Sequence, residues 1–346
     1  MTNAQSDKIQ ALLPWHTVVW QRLVERFPNI GHGLLFYGKE GCGKQQFAEQ
    51  FAQWLLCTEK QGMSACGHCA SCRWIAAGTH PQLKRIAPDF DEKKQSYAAI
   101  KIDQIREMGD FVQQRVEGWR VVLIEHAEYL NIAASNALLK TLEEPGERVV
   151  IILVSDAMLK LPATIRSRVQ QYALDRISSD QAEAYLAKQT IVGTNDNAQS
   201  QIVPIDQNQL TSIALSLAAE MPLKAEQILQ TEWFRQRQSF VDAWIDLVNK
   251  KAYPMLFSTQ WSKQLDFREL LIMLRYLIQD CIALKLQQPV KQTDLQLDKL
   301  EKFYSLQQLF AIYAQINKIN GMLLQNVQTQ LIFDELTVQL MNVDFT

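Results

Sequence analysis

No stretch of this sequence combines the length and apolarity needed to cross a bilayer. The strongest candidate, "LLIMLRYLIQDCIAL" from Leu270, is interrupted by Arg275 and Asp280 and falls short of the ~20 apolar residues that a span requires. The opening residues, "MTNAQSDKIQ", lack the hydrophobic core of a secretory signal. Charge of one sign is also missing. The formal net charge is −2, so the chain as a whole is no electrostatic binder of nucleic acid, although a local basic patch remains allowed. No segment repeats. These absences lead us to expect a soluble, cytoplasmic protein with no membrane partner. Cysteine is sparse but unevenly placed. Of six, four fall between Cys57 and Cys72, and in a reducing compartment such a cluster reads as metal ligands rather than disulfides.

What is present is enough for sizeable cores: 346 residues, 47% of them hydrophobic, which favours two or three domains. In the first half, β-branched runs alternate with helical periodicity. "GLLFYG", "LKRIAP", "WRVVLIEH", "RVVIILVS" and "QQYAL" read as strands. Between them, "QQFAEQFAQWLLC", "IKIDQIREMGDFVQQRV" and "NIAASNALLKTLEEP" carry apolar residues at helical spacing, the last stopped by Pro145. The alternation predicts a doubly wound parallel α/β sheet. After about Arg176 the strand pattern ends. "SSDQAEAYLAKQ" and "LTSIALSLAAEMPLKAEQILQ" read as helices, the second broken near Pro222, and "TIVGTNDNAQSQIVPIDQNQ" between them as an irregular loop. From Glu232 the pattern is amphipathic, with Leu309, Tyr313, Ile316, Leu323 and Val327 in helical register, so an all-α bundle is expected.

The first strand runs into "GKEGCGKQQ", which has the spacing of a phosphate-binding loop in Gly38, Gly41, Gly43 and Lys44. Backbone N–H groups and the following helix N-terminus hold phosphates in such loops, and the lysine reaches the outer ones. The next residue, where a hydroxyl would hold Mg²⁺, is Gln45. At the end of "VVLI" stand Glu125 and His126, where a working site has an acid that orients Mg²⁺ and a second that activates water. Two catalytic positions are therefore off pattern. The residues leave open whether ATP or ADP still binds and predict that this chain does not hydrolyse it. The competing reading is an ATPase that works through Lys44 and Glu125. The spacing C-x8-C-x2-C-x2-C of Cys57, Cys66, Cys69 and Cys72 suits a closed structural Zn²⁺ site, with His68 a spare donor inside it.

Taken in order, "HGLLFYGKEGCGK", the cysteine cluster, "AGTHP", "SNALLKTLEEP" and "LPATIRSR" resemble the delta-prime subunits of bacterial DNA polymerase III clamp loaders, relatives of the AAA+ ATPases. The resemblance spans about Leu12 to Leu174. It implies an AAA+ α/β domain (1–175) with a zinc-binding insertion (57–72), a helical lid (176–231) and a helical collar for oligomerisation (232–346). It also implies partners: ATPase subunits of the tau/gamma type, a delta-type subunit, and the sliding clamp and primed DNA through the complex. The chain would be a component of the polymerase holoenzyme without being a competent ATPase itself. The family's trans-acting arginine falls on Arg168, with Val169 in place of the family's cysteine and Arg166 as a secondary candidate. In "LAAEMPLKAEQIL", the counterpart of a segment that carries a phosphate-sensing arginine in working relatives, Leu223 and Lys224 stand instead.

Overall fold

The computed structural model describes residues 11–91, 96–114, 117–188, 207–322 (320–322 as backbone alone) and 328–341. Leu323 and Val327, and the expected loop from Thr190 as far as residue 206, lie outside them. The end of that loop, from Gln207, is helical instead. The chain forms two compact units, Met1–Gln181 and Ala182–Thr346.

The first unit contains, in order, α1 (Thr17–Arg26), β1 (Gly33–Tyr37), α2 (Lys44–Leu56), α3 (Ala70–Ala76), β2 (Leu83–Ile86), β3 (Phe90–Asp91), β4 (Ser96–Tyr97), α4 (Ile102–Gln113), β5 (Arg120–Ile124), α5 (Ile132–Glu143), β6 (Val149–Ser155), α6 (Ala163–Arg166) and β7 (Gln170–Ala173). Five strands make one parallel sheet in the order β2-β5-β6-β1-β7. This is the P-loop-type α/β arrangement that the sequence predicts. Both β5 and β6 are buried along their whole length, as a parallel sheet covered by helices on both faces requires. Alternation along β1 sends neighbouring side chains to opposite layers. Leu35 joins Ile105, Met108, Val112, Leu138 and Leu142 beneath α4 and α5. Phe36 meets Phe47 edge-on at 5.0 Å, and Trp20 meets the same ring at 5.5 Å, under α1 and α2. The two-residue strands β3 and β4 pair as a small separate hairpin. They are too short to leave a periodic signal and are absent from the expectations above.

The parallel register brings the carboxyl ends of the strands to one edge of the sheet. Gly33–Tyr37 lies beside Ile151–Ser155, and Arg120–Ile124 beside Val149–Leu153. The residues that follow β1, β5, β6 and β7 therefore converge, which is where open α/β sheets bind ligands.

The second unit holds helices only among its described residues. The division falls within α7 (Ser179–Leu186), and α8 (Gln207–Leu217), α9 (Pro222–Gln230), α10 (Glu232–Val248), α11 (Pro254–Gln264), α12 (Phe267–Lys285), α13 (Leu297–Glu301), α14 (Leu306–Met322) and α15 (Thr329–Leu340) follow. Pro222 and Pro254 open α9 and α11 at the position where a missing N–H does no harm. The core is aromatic: Phe240 meets Trp261 at 4.9 Å and Trp244 at 6.0 Å, and the Trp244 indole N–H donates to the Tyr304 hydroxyl at 2.8 Å. Leu309 and Ile316 of α14 are buried, as their spacing predicts. Inside α12 the buried Asp280 carboxylate accepts the backbone N–H of Lys291 and both the backbone and side-chain N–H of Gln292, each at 3.0 Å. It thereby closes the turn before α13.

Removing that acceptor strands buried donors. We expect Asp280→Ala to destabilise the helical unit by about 3 kcal/mol. Urea unfolding followed by tryptophan fluorescence checks this, and an unshifted midpoint would contradict it.

Candidate functional site: the phosphate loop and the cysteine cluster

The loop begins where β1 ends. The Gly38 N–H donates to the Ser155 carbonyl at 3.3 Å, and the Lys39 N–H donates to the Asp175 carboxylate at 3.2 Å. A side chain at Gly38 would meet Asp175 and Cys42 at 3.0 Å. Gly43 has φ 87°, a left-handed conformation that frees the N-terminus of α2 and that glycine adopts without strain. Backbone geometry at the loop is therefore that of a phosphate cradle.

The charges inside it tell a different story. Lys44 is only 7% exposed. Its ammonium donates to the Lys39 carbonyl at 3.3 Å and pairs with Asp156, the residue after β6. The second oxygen of Asp156 lies 3.6 Å from Nδ1 of His126, and the same nitrogen lies 3.7 Å from Glu128. His126 sits in a left-handed conformation, φ 48°, just after β5. The four groups form a chain of alternating sign that sums to zero. Asp156 and Glu128 raise the His126 pKa to about 9 against the opposing effect of burial, so the imidazole is protonated at neutral pH. A general base must be unprotonated to act, so His126 does not qualify. His126, Glu128 and Asp156 bring ligand atoms within 4.8 Å of one another. Tyr97 of β4 covers the His126 ring at 4.2 Å.

Gln45 is half-buried in the first turn of α2. Glu125 points to Arg85 of β2, Nη1 to Oε1 at 3.3 Å, and Arg85 is shared with Glu49 at 3.0 Å. Both residues of the ATPase reading, Lys44 and Glu125, are thus engaged inside the chain. Sequence reasoning missed Asp156, Glu128 and Asp175. The first and last follow strands, and the strand-end rule alone could have flagged them.

The four cysteines are brought together. Cys57 caps the C-terminus of α2 and Cys69 the N-terminus of α3. The Cys57 and Cys69 sulfurs are 4.0 Å apart, as are those of Cys66 and Cys72, and all four lie within 4.8 Å of one another. A disulfide would need about 2.05 Å. The edge of a tetrahedron with metal–sulfur bonds of about 2.3 Å is ~3.8 Å, so the set fits a metal ion. Backbone N–H groups point at the sulfurs: Cys66 to Cys57 at 3.3 Å, Cys69 to Cys66 at 3.3 Å and Cys72 to Cys69 at 3.4 Å. Burial works to raise the Cys69 thiol. Hydrogen bonds from Thr58 and from the Cys72 N–H outweigh it and the net shift is downward, whereas burial pushes the neighbouring Cys57 thiol up and the Cys72 thiol up to about 12. His68 is exposed and turned to Glu59 at 3.6 Å. The histidine of "AGTHP" ties the cluster to the sheet. His80 Nδ1 accepts the Gln82 N–H at 3.1 Å, so Nε2 carries the proton and donates to Ser71 of α3 at 2.8 Å.

Arg168 follows α6 and is 38% exposed. Its Nε donates to Oε1 of Glu143 at 2.9 Å, Nη2 approaches the same oxygen at 2.7 Å, and Nη1 donates to the Thr164 carbonyl at 3.0 Å. Arg166 is turned inward, with Nε donating to the Leu161 carbonyl at 3.2 Å. Lys224 lies in the first turn of α9.

A parallel sheet with a phosphate loop at its carboxyl edge, followed by helices, defines a P-loop-type protein. Comparison with known proteins narrows this. A family described as "DNA polymerase III, delta subunit" matches residues 16–178. The DNA polymerase III subunit delta' of Pseudomonas aeruginosa is 32% identical over 72% of this chain and 71% of its own length. That of Escherichia coli is 30% identical over 66% and 64%. The tau/gamma subunit of Haemophilus influenzae is 35% identical over 46% of this chain and 22% of its own. The chain belongs to the DNA polymerase III delta' family. Among the described residues no helix is long and apolar enough to cross a membrane.

The raised His126 pKa has a sign. The folded chain binds this proton more tightly than free imidazole, whose pKa is about 6.5. The resulting stability, on the order of 2 kcal/mol, is fully present below pH ~6.5 and lost as pH rises through about 9. We expect the thermal midpoint of the α/β unit to fall between pH 6.5 and 9.5, and His126→Gln to flatten that slope. Parallel curves for the two proteins would contradict the assignment.

Proposed function

We propose that the chain is a non-hydrolysing subunit of a clamp loader that supplies Arg168 to the triphosphate held by a neighbouring ATPase subunit. The supporting observation is the contrast between two basic groups. Lys44 is buried and already neutralised by Asp156 of the same chain, whereas Arg168 is exposed on a motif segment. An arginine brought across an interface stabilises charge that develops as the γ-phosphate is transferred. In this reading the chain's own site is degenerate. Gln45 offers no hydroxyl to Mg²⁺, Glu125 is paired with Arg85, and the protonated His126 replaces a water-activating acid. ATP or ADP can still occupy the glycine loop through backbone N–H groups, displacing Asp156 from Lys44.

The rest of the proposal follows the family. The first domain, 1–175, carries a structural Zn²⁺ on Cys57, Cys66, Cys69 and Cys72. Residues 176–231 form a lid and 232–346 a collar that assembles with tau/gamma-type and delta-type subunits. The sliding clamp and primed DNA are reached through the complex, in the cytoplasm. The thiolates would hold the ion with no open position, so it braces the segment between α2 and β2 rather than taking part in chemistry.

Two measurements test this. In a reconstituted loader, Arg168→Ala should leave the assembled mass unchanged and lower ATP turnover, the one site it serves slowing by roughly 10³ or more. Unchanged turnover would contradict the proposal, as would turnover by the isolated chain that disappears in Lys44→Ala. Metal analysis should find zinc on the purified chain, and Cys69→Ser should remove it and lower the thermal midpoint by about 5 °C or more. A metal-free chain of full stability would refute the zinc assignment.

A further inference from the structure

Glu143 is the last residue of α5, at the negative end of the helix dipole, where a carboxylate is electrostatically disfavoured by roughly 0.3–1 kcal/mol. It is nevertheless aimed at Arg168. Its Oε1 takes both Nε and Nη2, the side edge of the guanidinium, while the Thr164 carbonyl takes one N–H of Nη1. A guanidinium has five N–H groups. These contacts leave one on each terminal nitrogen without a partner among the described residues. The end edge formed by the two terminal nitrogens is the one left to grip a phosphate, with the free N–H of Nη2 and an N–H of Nη1 as donors.

The two side chains are held in this relation by their neighbours in sequence. Leu142, before Glu143, and Val169, after Arg168, are buried in the same cluster. Both pack on Gly33 at the start of β1, where a Cβ would meet Val169 at 3.0 Å, Leu142 at 3.1 Å and the Arg168 carbonyl at 3.3 Å. The end of α5 and the segment after α6 are thus pressed against one backbone point. Free rotation of the arginine is what the carboxylate then removes.

We infer that Glu143 is the positioning residue for Arg168: it holds the side edge of the guanidinium and presents the end edge to a phosphate of a nucleoside triphosphate on another subunit. This rests on the role proposed above for Arg168. Glu143 is a positioning residue and not a lock. The pair is exposed, with Glu143 at 53%, and exposed ion pairs contribute only about 0–1 kcal/mol. That is too little to withhold the arginine from a triphosphate, yet enough to favour one rotamer before the interface forms.

The test uses the complete reconstituted loader with wild type, Glu143→Ala, Glu143→Gln, Arg168→Ala and the double variant Glu143→Ala/Arg168→Ala. We expect Glu143→Ala to lower kcat for ATP by about twofold to fivefold, with KM and assembled mass unchanged, as for an interaction realised in the transition state. Glu143→Gln, which keeps an acceptor oxygen for Nε and Nη2, should retain at least half of the lost activity. Adding Glu143→Ala to Arg168→Ala should change nothing further. Wild-type kcat in Glu143→Ala beside a slow Arg168→Ala would overturn the inference and leave the arginine's role standing. A faster Glu143→Ala loader would make the carboxylate a lock and overturn it too. Further slowing in the double variant would show an action other than through Arg168, with the same consequence. Wild-type kcat in Arg168→Ala would instead sink the reading on which the inference depends.

Discussion

The α/β unit is organised around one buried ammonium. Lys44 sits at the start of α2 with almost no exposed surface, and an uncompensated charge in such a place is strongly destabilising. Asp156 supplies the counter-charge, His126 balances Asp156, and Glu128 balances His126. The result is a neutral cluster assembled from the ends of β1, β5 and β6. A triphosphate entering this site would meet two carboxylates already in place and no hydroxyl to help retain Mg²⁺. Protein carboxylate and imidazole groups thus satisfy the lysine, and the loop keeps its glycine backbone geometry.

The same logic explains why the proposed chemistry lies elsewhere. Arg168 is placed by elements that belong to the hydrophobic layer under α4 and α5, yet its head group reaches the surface. Its setting is rigid because Ile165 and Val169 are buried on either side. The mobile end of a long side chain is confined by one carboxylate and one carbonyl. A subunit that performs no cleavage can still supply an ordered charge to a neighbour, provided its own core fixes the backbone around that charge.

How much of this was legible in the sequence depended on the range of the interactions. The strands and the glycine loop left local signals: β-branched runs, a fixed glycine spacing, a proline after α5. The cysteine cluster was legible for the same reason, since its spacing is local and its geometry follows from sulfur chemistry. The Lys44–Asp156 pair joins residues far apart in the chain, and only the β1–β6 pairing brings them together. Glu143 and Arg168 are separated by β6 and α6, so their pairing had no local trace, although both lie in segments that the family resemblance marked. The hairpin of β3 and β4 was too short to register, and Tyr97, which it places over His126, went unseen with it.

One helix connects the two sites. Its first residue is Lys44 and its C-terminal cap is Cys57, so α2 reaches ~20 Å from the glycine loop to the cysteine cluster. Its length is gripped by Phe47, Phe51 and Trp54 under the sheet. A strut anchored at both ends holds its shape whether or not anything occupies the cradle at its tip. The loop is thus a preset mould, and an anion settling into it would have little backbone entropy left to quench.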